Sequence, residues 1–329
     1  MTFVEELGER KIIDIIINCL EKMPNMPIPF GDDVSALNIG NGKLAVLKTD
    51  VLVAKTDVPA GMTLWHAARK AVVMNISDFA AKGVKPLAIM VSLGIPRGLK
   101  VKNVEQIGKG LNAGAREYDA YVLGGDTSEA VDLIISCALF GIGESQNIMK
   151  RTGAQPGDIV AVTGFFGKTT SGLKILLEKL PASASLKEKL IDAVFMPKAR
   201  LKEGLALAQS NAVTSAIDSS DGLAWSLHEL AKANNVGFLI NHVPIAAEVE
   251  EFAKMHNLNP LDLSLYGGEE YELVVTIKPD MWENARIAVE RVNGTLIKIG
   301  KVTSQKEMLL QIGEKTVPIE AKGWEHLRT

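Results

Sequence analysis

The chain has 329 residues, of which 47% are hydrophobic and 23% are charged, so it has the composition of a soluble globular protein and the length of two domains. Its net charge of -3 gives no basic footprint for nucleic acid, and Cys19 and Cys137 are too few for a disulfide framework or a zinc site. The longest apolar run, residues 133–142, is too short to span a bilayer, and the N-terminus lacks a signal-peptide pattern. We therefore expect a cytoplasmic enzyme without a membrane partner.

The first half of the chain predicts strands interleaved with helices. An amphipathic helix over residues 3–20 ends at a proline-rich stretch, and Thr63 and Gly83 are placed to cap and to end a helix over residues 63–82. The other predicted elements are strands over residues 43–48, 51–53, 86–95, 120–124 and 131–141 and a helix over residues 104–117.

The second half begins after a turn-rich connection at residues 151–158, and we place the domains at residues 1–148 and 149–329. The predicted strands cover residues 159–163, 236–240, 272–277 and 295–301, and the predicted helices cover residues 171–180, 199–209, 223–234 and 282–292. Both halves mix helices and strands, so the fold class is α/β (α+β) with two domains.

Aspartates recur in short turns of small residues at the edges of apolar runs. These aspartates are Asp33, Asp50, Asp78, Asp126, Asp218 and Asp221. Carboxylates with almost no histidine or cysteine nearby indicate hard oxygen ligands for Mg²⁺. Several Mg²⁺ ions held by loops are typical of proteins that bind a nucleotide polyphosphate and transfer a phosphoryl group.

Each aspartate also has a purely structural interpretation. Asp33 and Asp50 could cap their own turns, as aspartates commonly do. Asp78 lies within an apolar helix, where an unpaired carboxylate would be costly, so it needs a metal or a hydrogen-bond partner. Asp218 either caps the following helix or shares a cation with Asp221. The residues alone leave these alternatives open.

Two glycine-rich turns could also contact a ligand. Gly167-Lys168-Thr169 resembles the end of a P-loop, but that motif requires glycine where Val162 stands. An ordinary strand-to-helix turn is therefore favoured, and Lys168 is only a weak candidate for binding a phosphate group at the start of the helix. Gly267 and Gly268 precede Glu269, which is either a solvated turn residue or a close contact to a polar ligand group. No nucleophile–base arrangement emerges, which favours direct in-line transfer.

Seven motifs occur together in an order that resembles the thiamine-monophosphate kinase family. They lie at residues 30–36, 48–53, 75–83, 124–127, 151–158, 217–223 and 266–273. That family belongs to the ATP-binding superfamily that includes aminoimidazole-ribotide synthetase. The resemblance implies two α/β domains of the aminoimidazole-ribotide synthetase-like type, with the N-terminal sheet pairing in a homodimer. It also implies phosphorylation of thiamine monophosphate to thiamine diphosphate, with ATP as co-substrate and several Mg²⁺ ions.

The resemblance also assigns roles to residues of this chain. Implied ligands of Mg²⁺ are Asp33, Thr49, Asp50, Asp78, Asp126, Asp218 and Asp221. Implied contacts to ATP are Gly125, Asp126, Arg151, Ser220 and Tyr118. Implied contacts to thiamine monophosphate are Asp57, Glu269 and Trp324, the last offering a flat face to the cationic heterocycle.

The chain departs from the family pattern at four positions. Many members carry His where this chain has Asp57, Ser where it has Lys48, Met where it has Lys82, and Asp where it has Glu270. The rival interpretations are an aminoimidazole-ribotide synthetase-like enzyme and a non-catalytic nucleotide sensor on the same fold. The run at residues 267–273 and Trp324 favour the thiamine enzyme over the first, and the complete set of carboxylates speaks against the second.

Overall fold

The computed structural model describes residues 3–327, which form two mixed α/β units. Helix α1 (Glu9–Asn18) comes first in the chain, and its Arg10 contacts Asp221, Trp225 and Glu229 of the C-terminal half. In the N-terminal unit the strands are β1 (Ser35–Gly40), β2 (Lys43–Val53), β3 (Pro86–Ile95), β4 (Tyr121–Glu129) and β5 (Ile134–Glu144), and the helices are α2 (Ala54–Asp57), α3 (Leu64–Lys82) and α4 (Val101–Glu117). These strands form one sheet in the order β1-β2-β5-β3-β4, in which only the β3–β4 pair is parallel among the described strands.

The C-terminal unit is a second, larger sheet covered by helices. Its strands are β6 (Ile159–Val162), β7 (Val213–Asp218), β8 (Gly237–Ile240), β9 (Leu273–Ile277), β10 (Ile297–Thr303), β11 (Met308–Ile312) and β12 (Lys315–Pro318), in the order β12-β11-β8-β10-β6-β9-β7. Its helices are α5 (Lys168–Leu177), α6 (Ala184–Phe195), α7 (Leu201–Ser210), α8 (Leu223–Asn234), α9 (Ala247–His256), α10 (Pro260–Leu265) and α11 (Trp282–Glu290). No described helix combines the length and apolarity needed to cross a membrane.

Helix α3 is the central element of the molecule. The Thr63 side chain accepts a hydrogen bond from the His66 amide, and the helix ends at Gly83, as predicted. Nearly every residue from Ala67 onward is buried, because α3 packs on the N-terminal sheet on one side and on the C-terminal unit on the other. A Cβ at Gly204 in α7 would lie 2.0 Å from the carbonyl oxygen of Ala80, so the two helices touch backbone to backbone.

The other face of the N-terminal sheet is apolar and exposed in the single chain. Alternate residues of a strand point to opposite faces, and on β2 the outward set includes Leu47 and Val51. Edge strand β4 is exposed along its whole length, with Leu123 69% exposed. The outward apolar residues are Leu37, Ile39, Leu47, Val51, Leu87, Met90, Tyr121, Leu123 and Ile142.

Some predicted elements differ in the structure. The helix expected over residues 3–20 is a short 3-10 turn (Val4–Glu6) followed by α1, because Gly8 adopts a positive φ of 74° between them. The strands expected at residues 43–48 and 51–53 form one continuous strand, β2. Helix α6 was not predicted, although its buried residues Leu186, Leu190 and Val194 recur at helical spacing.

Candidate functional site

Three aspartates from distant parts of the chain meet where the two units join. Asp33 precedes β1, Asp78 lies within α3, and Asp218 is the last residue of β7. All three are buried, and each offers a carboxylate oxygen within 4.8 Å of the other two. We call Asp33, Asp78 and Asp218 the acidic cluster.

The acidic cluster is held from α3. The hydroxyl of Ser77 donates a hydrogen bond of 2.8 Å to Asp218 Oδ2, which ties α3 to the end of β7. Lys82, one turn further along α3, donates to the carbonyl oxygen of Ala216 at 2.9 Å. Because a helix is rigid over this length, it fixes the distance between Asp78 and the β7 carboxylate.

Cations surround Asp33 on two sides. The Lys82 ammonium lies 2.6 Å from Asp32 Oδ1 and 2.7 Å from Asp33 Oδ2, and Arg151 Nε donates to Asp33 Oδ1 at 2.7 Å. Burial opposes ionisation of Asp33, but Arg151 and Lys82 outweigh it and hold its pKa below the ordinary value. Asp33 is therefore an ionised carboxylate with an internal charge partner.

Asp78 and Asp218 have too little positive charge around them. Burial raises the pKa of Asp218 to about 7, and the charge of Asp33 adds to that effect despite the hydrogen bond from Ser77. Burial also raises the pKa of Asp78 well above its ordinary value, although Lys48 opposes the shift. A divalent cation would remove this deficit, and oxygen-only ligands of this kind suit Mg²⁺. The residues present thus fit the metal that the carboxylate pattern predicts.

A second group of predicted residues lies at the start of α8. The Glu269 amide donates to the Ser220 carbonyl at 2.6 Å, and the Trp324 amide donates to the Asp221 carbonyl at 3.0 Å. The Asp221 side chain pairs with Arg10 Nη2 at 3.3 Å, and burial raises its pKa to about 6 although Arg10 opposes the shift. The indole of Trp324 is 51% exposed, so its face is accessible to a ligand.

Buried Lys70 links this group to the N-terminal unit. Its ammonium forms an ion pair with Glu269 and donates to the backbone carbonyl of Asp57 at 3.2 Å. The Asp57 carboxylate accepts from the Val53 amide at 2.7 Å and closes its own turn. Lys70 therefore brings two predicted substrate contacts, Asp57 and Glu269, to one place.

Comparison with known proteins identifies the family. Residues 31–143 match the family described as AIR synthase related protein, N-terminal domain, and residues 155–313 match its C-terminal domain. The thiamine-monophosphate kinase of Nitrosopumilus maritimus is 39% identical over 86% of this chain and 89% of its own. The chain belongs to the thiamine-monophosphate kinase family. The same enzyme of Pyrococcus horikoshii is 36% identical over 96% of each chain.

Solved structures of this family have the same fold. AaThiL complexed with AMPPCP and TMP superposes with a TM-score of 0.85 at 28% identity, over 99% of each chain. Thiamine-monophosphate kinase from Stenotrophomonas maltophilia superposes with a TM-score of 0.76 at 25% identity, over 91% of this chain and 95% of its own. The match to the first structure extends through both sheets and through the region of the acidic cluster.

Thr49 is an expected ligand of Mg²⁺, but its side chain faces away from the acidic cluster. Lys48 and Asp50 face the acidic cluster, so the intervening Thr49 faces the opposite side of β2, where its hydroxyl lies 3.5 Å from that of Ser136. The Thr49 hydroxyl is therefore not brought to the carboxylates. The orientation follows from the continuity of β2 through residues 49 and 50, which the two separate predicted strands did not include.

Gly125 and Asp126 lie on a different strand of the N-terminal sheet from Asp50, and Tyr118 follows the end of helix α4. Gly125 and Asp126 belong to β4, three strands from the Asp50 strand across the sheet, which corresponds to about 14 Å at ~4.8 Å per strand. The Tyr118 hydroxyl accepts a hydrogen bond from the Ala199 amide at 2.9 Å. Their contacts to ATP therefore stay predictions.

The Gly-rich turn before α5 already contacts a side-chain carboxyl group of the protein itself. Glu270 Oε1 accepts hydrogen bonds from the amides of Gly167 at 2.7 Å and Thr169 at 3.1 Å, so this carboxylate occupies the helix N-terminus. The Lys168 ammonium lies 3.2 Å from Glu248. These contacts favour the structural interpretation of the turn over a phosphate site.

Three buried residues whose roles the sequence patterns did not predict, Lys70, Ser77 and Lys82, link α3 to other parts of the site. A signal was present, since lysines at 70 and 82 fall within an otherwise apolar helix and a buried ammonium needs a partner. The identity of that partner depends on tertiary structure.

Proposed function

We propose that this chain is a thiamine-phosphate kinase, which transfers the γ-phosphoryl group of ATP to the phosphate of thiamine monophosphate and yields ADP and thiamine diphosphate. The main support for this proposal is that the chain has a buried acidic cluster and belongs to a family whose members are thiamine-monophosphate kinases. A relative with the same fold over 99% of both chains was solved with AMPPCP, an analogue of ATP, and TMP. The fold thus accommodates both reactants.

The carboxylates are the proposed holders of the metal. The side chains that would hold Mg²⁺ are Asp33, Asp50, Asp78, Asp218 and Asp221, with Asp126 on the nucleotide side. Thr49 is left out because its hydroxyl lies on the other face of β2. Bound Mg²⁺ offsets the repulsion between the two reacting phosphates and the charge of the transferring group.

The remaining proposed contacts orient the two substrates. For ATP they are Gly125, Asp126, Arg151, Ser220 and Tyr118, and for thiamine monophosphate they are Asp57, Glu269 and Trp324. The exposed Trp324 suits a cationic ring, and the Glu269 carboxylate, which is ion-paired with Lys70, is a proposed acceptor for a polar group of the same substrate. An acceptor phosphate oxygen is already ionised near neutral pH, so the chain needs no general base, only alignment of acceptor and donor.

The exposed apolar face of the N-terminal sheet supports a homodimer. A contiguous apolar surface of this kind is unusual on a monomer, and edge strand β4 offers unpaired backbone groups beside it. In this proposal two copies cover the face with each other, residues 1–148 form the dimerising domain, and residues 149–329 complete the substrate site. We place the enzyme in the cytoplasm, where ATP is available.

Product analysis tests the function. The purified chain is incubated with Mg-ATP and either thiamine monophosphate or formylglycinamidine ribotide. Thiamine diphosphate and ADP are expected from the first mixture alone. Turnover only in the second would assign the chain to the purine-pathway relatives, and ATP binding without turnover in either would indicate a sensor.

The variant Asp218→Asn tests the acidic cluster in the same assay. It keeps the size of the side chain and removes its charge, so kcat should fall by at least about 100-fold, the scale of losing one transition-state stabiliser. The exposed Asp280→Asn is the matched control and should retain full turnover. Equal activity of the two variants would contradict the assignment.

A further inference from the structure

Lys48 lies between two carboxylates of the site. It occupies the inward face of β2, and its ammonium is 3.1 Å from Asp50 Oδ1 and 3.1 Å from Asp78 Oδ2. The side chain is 18% exposed, so the ammonium is largely withdrawn from solvent. A cation in this position neutralises two acids that otherwise repel each other.

The other cations of the site are committed elsewhere. Lys82 lies against Asp32 and Asp33, and Arg151 lies against Asp33. Within residues 3–327, the ion pairs of Asp50 and Asp78 are both with Lys48. The charge balance on this side of the site therefore depends on one lysine.

A divalent cation and this ammonium compete for the same oxygens. An ion bound to Asp78 would lie within a few ångströms of a like charge in a poorly solvated region, where screening is weak. The lysine stem is flexible and its three donors have no fixed geometry, so the ammonium can leave without a change in the strand.

We propose that Lys48 is a built-in counter-ion that occupies the Asp50–Asp78 position until Mg²⁺ displaces it. It stabilises the metal-free protein and weakens the affinity of that protein for Mg²⁺. The consequence is that the metal enters mainly with the nucleotide, whose phosphates supply additional ligands. This inference rests on the proposed function only in taking Mg²⁺ as the ion of the site.

The direct test is the variant Lys48→Met, which keeps the length of the side chain and removes its charge. Titration calorimetry with MgCl₂ alone, without nucleotide, should show at least tenfold tighter binding to Lys48→Met than to the wild type. Lys48→Arg should bind as weakly as the wild type, and Lys85→Met, at an exposed lysine, is the matched control. Unchanged or weaker binding of Mg²⁺ by Lys48→Met would overturn the proposal.

Thermal unfolding supplies a second readout. The Tm of Lys48→Met in EDTA should fall below that of the wild type, and added MgCl₂ should restore it. An equal loss of Tm with and without Mg²⁺ would mean that Lys48 acts only in packing, and would also overturn the proposal.

A measurement on the unmodified chain covers the case in which Lys48→Met does not fold. The rate at which an amine-reactive reagent acetylates Lys48 is measured by mass spectrometry, with Lys85 as the internal reference. This rate should increase as MgCl₂ is added. Constant or slower acetylation at saturating Mg²⁺ would refute displacement. Because these experiments contain no substrate, their outcome is independent of product analysis: thiamine diphosphate formation with unaltered Mg²⁺ binding would remove the inference and leave the function.

Discussion

The carboxylate of Glu270 makes stability depend on pH in a predictable direction. It is half-buried at the N-terminus of α5, and desolvation raises its pKa to about 7 although the amides of Thr169 and Gly167 oppose the shift. A raised pKa means that the folded protein binds this proton more tightly than the unfolded chain, whose carboxyl titrates near its ordinary value of 4.5. Its contribution to stability is therefore complete at acidic pH and declines as the pH rises through about 7.

The magnitude follows from the size of the shift. The pKa of Glu270 rises from 4.5 to about 7. At about 1.4 kcal/mol per pKa unit, this shift corresponds to a change of up to about 3 kcal/mol in the free energy of unfolding. Glu270→Gln removes the ionisation and keeps the oxygen that accepts from both amides, so the start of α5 stays capped. Between about pH 5 and pH 8 the free energy of unfolding of Glu270→Gln should therefore rise relative to that of the wild type by up to about 3 kcal/mol.

Urea unfolding followed by circular dichroism, repeated at several pH values, measures this difference. The relevant quantity is the free energy of unfolding of Glu270→Gln minus that of the wild type, which cancels the titration of all other groups. Glu314→Gln, at an exposed glutamate, is the control and should show a flat difference. If the Glu270→Gln difference also stays within about 0.5 kcal/mol across the range, the reasoning from burial is refuted.

Two further predictions concern β4. A Cβ at Gly125 would lie 1.7 Å from the carbonyl oxygen of Val91, so Gly125→Ala should lower the free energy of unfolding by about 3 kcal/mol or more. The control Gly124→Ala should lower it by less than about 1 kcal/mol. Equal losses in urea unfolding would contradict the geometry. Leu123→Asp puts a charge on the exposed apolar face and should convert the proposed dimer to a monomer in sedimentation experiments. Leu177→Asp, on the other unit, should sediment like the wild type, and a dimeric Leu123→Asp would exclude this face as the interface.

Local signals in the sequence predicted the long elements well. Helix α3 carries a threonine cap, an apolar pattern and a terminal glycine, and all three act within a few residues of one another. The carboxylates of Asp33, Asp78 and Asp218 were recognisable because short turns, or an apolar helix, set them apart from ordinary surface acids. Helix α6 is the exception, because its apolar residues also recur at helical spacing and it was not predicted.

The missed features depend on distant partners. Glu270 caps a helix that begins about a hundred positions earlier in the chain, and Lys82 reaches Asp32 and Asp33 from the far end of α3. Neither pairing has a signature in spacing, because the fold brings the two ends together. Thr49 is a different case: it was placed between two predicted strands, and only the continuous strand β2, with its period of two, separates its side chain from those of Lys48 and Asp50.

Helix α3 explains how one buried element can set the geometry of the whole site. Lys70 contacts Glu269 at the proposed thiamine-phosphate end, Asp78 joins the acidic cluster, and Lys82 supports Asp33 beyond it. At ~1.5 Å per residue, Lys70 and Asp78 are separated by about 12 Å along the axis. In-line transfer requires a fixed distance between acceptor and metal, and a helix packed on both sides holds that distance more rigidly than the loops that carry the other contacts. Lys70, Ser77 and Lys82 are thus buried for a geometric reason, since each of them connects a different part of the site to the same helix.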